Sequence, residues 1–209
     1  MYKKLLAISI FIVLCLVSWR IYVSYTAFDK LVQAPHFQYV GAQDPSVIIT
    51  EVMDYRCSAC RQTHPAMAAL VARHPEIRVI YRVYPIFGDP SIREAKMAMA
   101  AGMQGKFEGM HNLLITRDEP VTAADEQRMV AALALDHDQY MKDKLSWSAT
   151  QDLLSGSAAL EAIGVRSTPT LIVGRKIYRP KESLPTVTDL EALLAEHLRP
   201  PVVARDSAP

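Results

Sequence analysis

A cysteine pair stands between two strand-like runs, and that arrangement limits the fold more than any other feature of the chain. SVIITEVMDY (Ser46–Tyr55) leads into CSAC (Cys57–Cys60), and IRVIYRVYP (Ile77–Pro85) follows. The first run is rich in β-branched and apolar residues, the composition of a strand buried on both faces. Ala66, Met67, Leu70 and Val71 then fall on helical spacing. Pro65 removes the amide that would bond the Arg61 carbonyl, so it kinks this helix rather than ending it. Ile77–Pro85 is a second strand. The unit is β-α-β, with both cysteines at the strand-to-helix turn.

Three chemistries fit two cysteines at this spacing. Zinc asks for about four ligands, and no second close Cys or His pair accompanies this one; His64 and His74 are poorly spaced for the task. A structural disulfide here would close a very short loop and gain little entropy. Redox chemistry suits a strand, Cys-x-x-Cys, helix context. A sulfur at a helix N-terminus meets free N–H groups and the positive end of the dipole, which favour thiolate. Arg56 and Arg61 lie close in sequence and add positive charge. Cys57 is therefore expected to be the exposed nucleophile, and Cys60, one turn in and more buried, the sulfur that resolves the mixed disulfide. Glu51 is the odd residue in its strand, with apolar Ile49 and Val52 as neighbours. Buried below the sulfurs it would carry a raised pKa and shuttle the Cys60 proton; at a strand end it would simply reach solvent. Met97, Met99, Met103 and Met110 are soft ligands in principle, yet at helical spacing they read as core. His111 reads as structural and His64 as a helix-surface residue.

The N-terminus fixes the compartment. Leu5–Trp19 is apolar, and beyond Arg20 the run continues through Tyr25. As a helix Leu5–Tyr25 is roughly 31 Å long, enough to cross a bilayer core. Trp19, Tyr22 and Tyr25 suit the outer interface, where Arg20 can snorkel. Lys3 and Lys4 place the N-terminus in the cytoplasm. Two outcomes stay open: an uncleaved signal anchor, or a cleaved signal, for which Ala34 is a poor site because Pro35 follows. Three of the 23 basic residues and none of the 22 acidic ones lie in residues 1–25, so the remainder carries −2. That balance gives no footprint for nucleic acid. Outside the cytoplasm thiols oxidise and disulfides persist, which suits redox cysteines.

The chain resembles the DsbA-like thiol:disulfide oxidoreductases, which have a thioredoxin fold. EVMDYRCSAC resembles that family's acid, Asp-Tyr and Cys-x-x-Cys segment. Glu51 lies six residues before Cys57 and Pro65 eight after it, as in thioredoxin relatives. GKFEGMHNLLI (Gly105–Ile115) resembles a family helix, and GVRSTPTLIVG (Gly164–Gly174) the loop whose cis-proline faces the cysteines. The resemblance implies site residues Cys57, Cys60, Glu51, Thr168 and Pro169, with Thr168–Pro169 cis and the Thr168 backbone free to pair with an extended client. The dipeptide Ser58-Ala59 departs from the proline and histidine many members carry. That dipeptide tunes the redox potential.

The expected layout is α/β: a thioredoxin-like fold with a helical insertion, preceded by an N-terminal transmembrane or signal-anchor helix. Residues 1–25 are the anchor or signal, 26–44 a linker, 45–198 the thioredoxin-like domain with its insert at about 90–163, and 199–209 a disordered tail. PTLIVG and RKIYRP form a hairpin through Gly174-Arg175, and Thr188–Leu198 is the closing helix. The expected function is extracytoplasmic exchange of the Cys57–Cys60 disulfide with cysteine-bearing protein substrates, with the oxidase direction favoured. A membrane redox partner would reset the cysteines, and no cofactor or metal is expected. The location is a bacterial inner membrane, single-pass with the catalytic domain in the periplasm, or soluble periplasmic if the N-terminus is cleaved. The alternatives are a disulfide reductase or isomerase of the same fold, or a non-catalytic chaperone or metal-handling module.

Overall fold

The computed structural model of the protein describes residues 2–32, 38–180 and 183–198. The expected tail at 199–209 lies outside the described residues, as do residues 33–37 of the expected linker. Five strands form one mixed sheet in the order β1-β3-β2-β4-β5. They are β1 (Tyr39–Gly41), β2 (Val47–Met53), β3 (Ile77–Val83), β4 (Thr170–Val173) and β5 (Lys176–Tyr178). β2 and β3 run parallel; every other neighbouring pair is antiparallel. Gly174 takes φ +60° in the β4–β5 turn, a conformation open to glycine at little cost.

Side chains alternate across the central strands and so divide the core in two. Ile49 and Met53 of β2, Val79 and Tyr81 of β3, and Leu171 of β4 share one cluster with Met67 and Leu70 of α2 (Ser58–Arg73) and Leu190 and Leu194 of α8 (Val187–Leu198). Val52 and Ile172 face the other way and meet Ala27, Leu31, Ala159 and Leu160. Pro65 sits inside α2, which continues past it.

The insert holds five helices: α3 (Asp89–Met103), α4 (Phe107–Ile115), α5 (Ala123–Ala132), α6 (His137–Lys144) and α7 (Trp147–Ala162). Local signals set their starts. Thr122 and Asp125 form a reciprocal capping box on α5, and Asp136 and Ser146 cap α6 and α7 through side-chain oxygens.

The N-terminal boundary differs from expectation. α1 (Tyr2–Val32) does not stop at Tyr25; it runs seven residues further, without a break. Residues 2–22 are exposed, whereas Ala27 and Leu31 are buried against the sheet and α7. The segment expected as linker is thus, through Val32, a helix of the domain. Docking of its apolar face holds it helical despite Asp29 and Lys30.

Candidate active site

The two candidate sulfurs sit where β2 hands over to α2. Cys57 is the N-cap of α2, with extended dihedrals (φ −79°, ψ 111°). Its amide donates to the Asp54 carbonyl at 3.1 Å, and its carbonyl accepts from the Arg61 amide at 3.2 Å, the opening bond of the helix. The Cys57 Sγ accepts from the Cys60 amide at 3.3 Å. A capping side chain normally contributes an oxygen at this point; here the cap is the sulfur, so the helix terminus acts directly on the reactive atom.

That placement shows in the two thiols. Cys57 is drawn down to about 6, first by its hydrogen bond with the Cys60 thiol; burial opposes this, and Thr168 with the Cys60 and Ala59 amides adds to it. Cys60 is pushed upward by the same Cys57 bond, then by burial, with the charges of Cys57 and Glu51 adding to both. One sulfur takes the negative charge and the other keeps the proton. The expectation of an exposed Cys57 needs correction. It is 4% exposed against 0% for Cys60, because the Thr168 loop covers it. The sulfurs differ in charge far more than in access.

Glu51 is 2% exposed, in phase with Ile49 and Met53 and beside Tyr81 on β3. Burial, with the Cys57 charge as second cause, raises its pKa to about 8. Its Oε2 has no hydrogen-bond partner among the described residues. The Thr168–Pro169 bond is cis. The Cys57 thiol donates to the Thr168 carbonyl at 3.6 Å, so that carbonyl is engaged in the dithiol form rather than free. The buried Thr168 hydroxyl has no partner of its own among the described residues. Donated to the sulfur, it favours thiolate.

Sequence reasoning gave no role to Asp54, which builds the turn. Its buried carboxyl accepts from the Arg56 amide, the Ile86 amide and the Ser91 hydroxyl, each at 2.8 Å. Its signals were an acid directly after an apolar strand and its place in the Asp-Tyr of the segment that resembles the family. Asp54→Ala strands three donors at once, the Ser91 hydroxyl fully buried and the two amides partly so. We expect a loss of about 3–5 kcal/mol, a fall in Tm of about 10 °C, and a Cys57 pKa that rises as the turn loosens. Thermal unfolding with pH-dependent alkylation measures both, and an unchanged Tm would refute the role.

Buried His111 and half-buried His64 pack together beside this turn. The Tyr55 hydroxyl and His111 Nδ1 are 3.2 Å apart, and the His64 and His111 rings 5.1 Å. Burial, then the neighbouring His64, lowers His111 to about 3; burial alone lowers His64. His64 therefore packs inward instead of lying on the helix surface. Arg61 is held by Asp118 at 3.1 Å, and Arg56 reaches both Glu94, at 3.7 Å, and the Asp118 carbonyl. Neither arginine is among the causes that lower Cys57.

Comparison with known proteins gives the same picture. A family model described as Thioredoxin matches residues 33–195. Among curated proteins, an Na(+)/H(+) antiporter NhaA 3 of Salinispora tropica is 28% identical over 165 residues, covering 77% of this chain and 25% of that protein. The chain thus spans about a quarter of the length of the curated relatives it matches. Among solved structures, a thioredoxin-like oxidoreductase from Silicibacter pomeroyi superposes with a TM-score of 0.72 at 26% identity, covering 80% of this chain and 95% of that one. The thiol-disulfide exchange protein alpha-DsbA2 from Wolbachia pipientis shares the fold, with a TM-score of 0.69 at 21% identity and 83% and 95% coverage.

Proposed function

The chain belongs to the thioredoxin family, and from that premise we propose that it is a membrane-anchored thiol:disulfide oxidoreductase that oxidises protein thiols outside the cytoplasm. The observation that carries the direction is the lowered pKa of Cys57. A stabilised thiolate stabilises the reduced form, so the disulfide becomes the stronger oxidant. A thiol at about 6 instead of about 9 raises the potential at pH 7 by about 30 mV.

The exchange follows from the asymmetry of the sulfurs. A client thiolate attacks Cys57 Sγ of the disulfide, forming the mixed disulfide and releasing the Cys60 sulfur. That sulfur holds its proton strongly and needs one as it leaves; the neutral Glu51 carboxyl supplies it. A second client thiolate then attacks the client sulfur and expels Cys57 as thiolate. The client is oxidised by two electrons and the cysteine pair is reduced by two. Ile86 and Phe87, exposed beside the Asp54 turn, offer apolar surface to an unfolded client. α1 is long and apolar enough to cross a membrane, and Lys3 and Lys4 favour a cytoplasmic N-terminus with the domain on the far side.

Equilibration against glutathione tests the direction. We expect a potential about 30 mV or more less negative than thioredoxin's value of about −270 mV, and iodoacetamide reactivity of one thiol that titrates near pH 6. A potential near thioredoxin's value of about −270 mV would instead make the protein a reductase.

A further inference from the structure

α1 crosses from one environment into another without interruption. Its exposed part, residues 2–22, is about 31 Å long, close to the thickness of a bilayer core. The remainder, Val23–Val32, is packed on the domain. Two arginines clamp it there. The Arg175 guanidinium lies 3.5 Å above the Tyr25 ring, donates to the Tyr25 carbonyl at 3.1 Å and pairs with Asp29 at 2.8 Å. Arg82, 5% exposed, donates to the Lys30 carbonyl at 2.6 Å and the Leu31 carbonyl at 3.2 Å, and meets Asp152 at 3.3 Å.

These clamps define a direction. Arg175 lies in the β4–β5 turn, next to the end of β2 where Val173 pairs with Ile49. Arg82 pairs with Val52, toward the end of β2 that leads to Cys57. The earlier residues of the docked helix therefore lie at the far end of the sheet from the cysteines, and its last residues lie nearer to them. We infer that α1 is one rigid post that spans the bilayer and then forms a layer of the domain, so that the Cys57–Cys60 pair faces away from the membrane. This rests on the membrane-anchored reading above.

The height follows from the elements. Six helical residues separate Tyr25, the outer end of the membrane-spanning run, from Leu31, and about two strand residues' length separates Val52 from the turn. Together they put the sulfurs up to about 15 Å beyond the hydrocarbon core, outside the headgroup layer, which adds about 5–8 Å per side. An oxidant dissolved in the bilayer does not reach them.

The test uses the full chain in nanodiscs, with all three native cysteines replaced by serine. One probe cysteine is placed at exposed Ser58 (Ser58→Cys) and, separately, at Lys176 (Lys176→Cys). Each carries a fluorophore, and the lipids carry a headgroup quencher. We expect loss of fluorescence at Lys176→Cys and none above background at Ser58→Cys. A flexible Gly-Ser insert between Tyr22 and Val23 should bring quenching to Ser58→Cys as well. Equal quenching of both probes without the insert would overturn the rigid outward orientation while leaving the anchor intact. A chain that carbonate washing releases from vesicles would overturn the anchor, and this inference with it.

Discussion

Cys57→Ser should abolish disulfide exchange, while Cys60→Ser should accumulate mixed disulfides with client proteins. At pH 7 a thiol titrating at about 6 is about nine-tenths thiolate, whereas the raised Cys60 is essentially all thiol. Without Cys57 no competent nucleophile or accessible electrophilic sulfur remains. Without Cys60 the mixed disulfide forms through Cys57 and has no internal sulfur to displace it. Non-reducing gels and mass spectrometry of trapped adducts read both results. Equal trapping by the two variants would reverse the assignment. Since the exposures differ by only 4% against 0%, such trapping is a measure of charge rather than access.

Glu51→Gln should make the protein more stable and slower. The Glu51 carboxyl titrates at about 8 in the fold against about 4.5 in the unfolded chain. A group raised in this way contributes stability that is fully present below about pH 4.5 and is lost as the pH rises towards 8. By pH 7 most of that loss has occurred, about 3 kcal/mol. A neutral amide of the same shape does not incur it, so Tm at pH 7 should rise by about 6–12 °C. The amide holds no proton to give the departing Cys60 sulfur, so oxidation of a client should slow by about 10²-fold. Thermal unfolding across pH and stopped-flow oxidation of a model dithiol read the two effects. A lower Tm would show the carboxyl to be hydrogen-bonded rather than merely desolvated, and an unchanged rate would remove it from proton transfer.

The sequence was most readable where local chemistry and tertiary packing agree. β2, α2 and β3 follow from β-branched runs, a helical apolar stripe and the turn between them. Thr122, Gly164 and the Gly174-Arg175 turn mark ends that need no distant partner. What could not be read depends on residues far apart in the chain. Arg78 and Arg82 are four apart in one strand and look like a solvated edge. Arg82 is buried only because carbonyls some fifty residues earlier cover it. Asp54 looked like the end of a strand, and its role appears only when Ile86 and Ser91 are folded back onto it. The access of Cys57 was misjudged for the same reason: the Thr168 loop that covers it arrives more than a hundred residues later.

The docked half of α1 also fixes the order in which the protein can be completed. Ala27 and Leu31 are made first, yet the cluster they close includes Val52, Leu160 and Ile172. Arg175, which clamps Tyr25 and Asp29, is made later still. In the proposed membrane-anchored protein, the anchor's domain-facing stripe would have nothing to cover it during export and would wait at the membrane surface until the second half of the chain had crossed. Folding of this domain would then finish at its N-terminus, with the membrane holding the first layer in place until the last strand arrives.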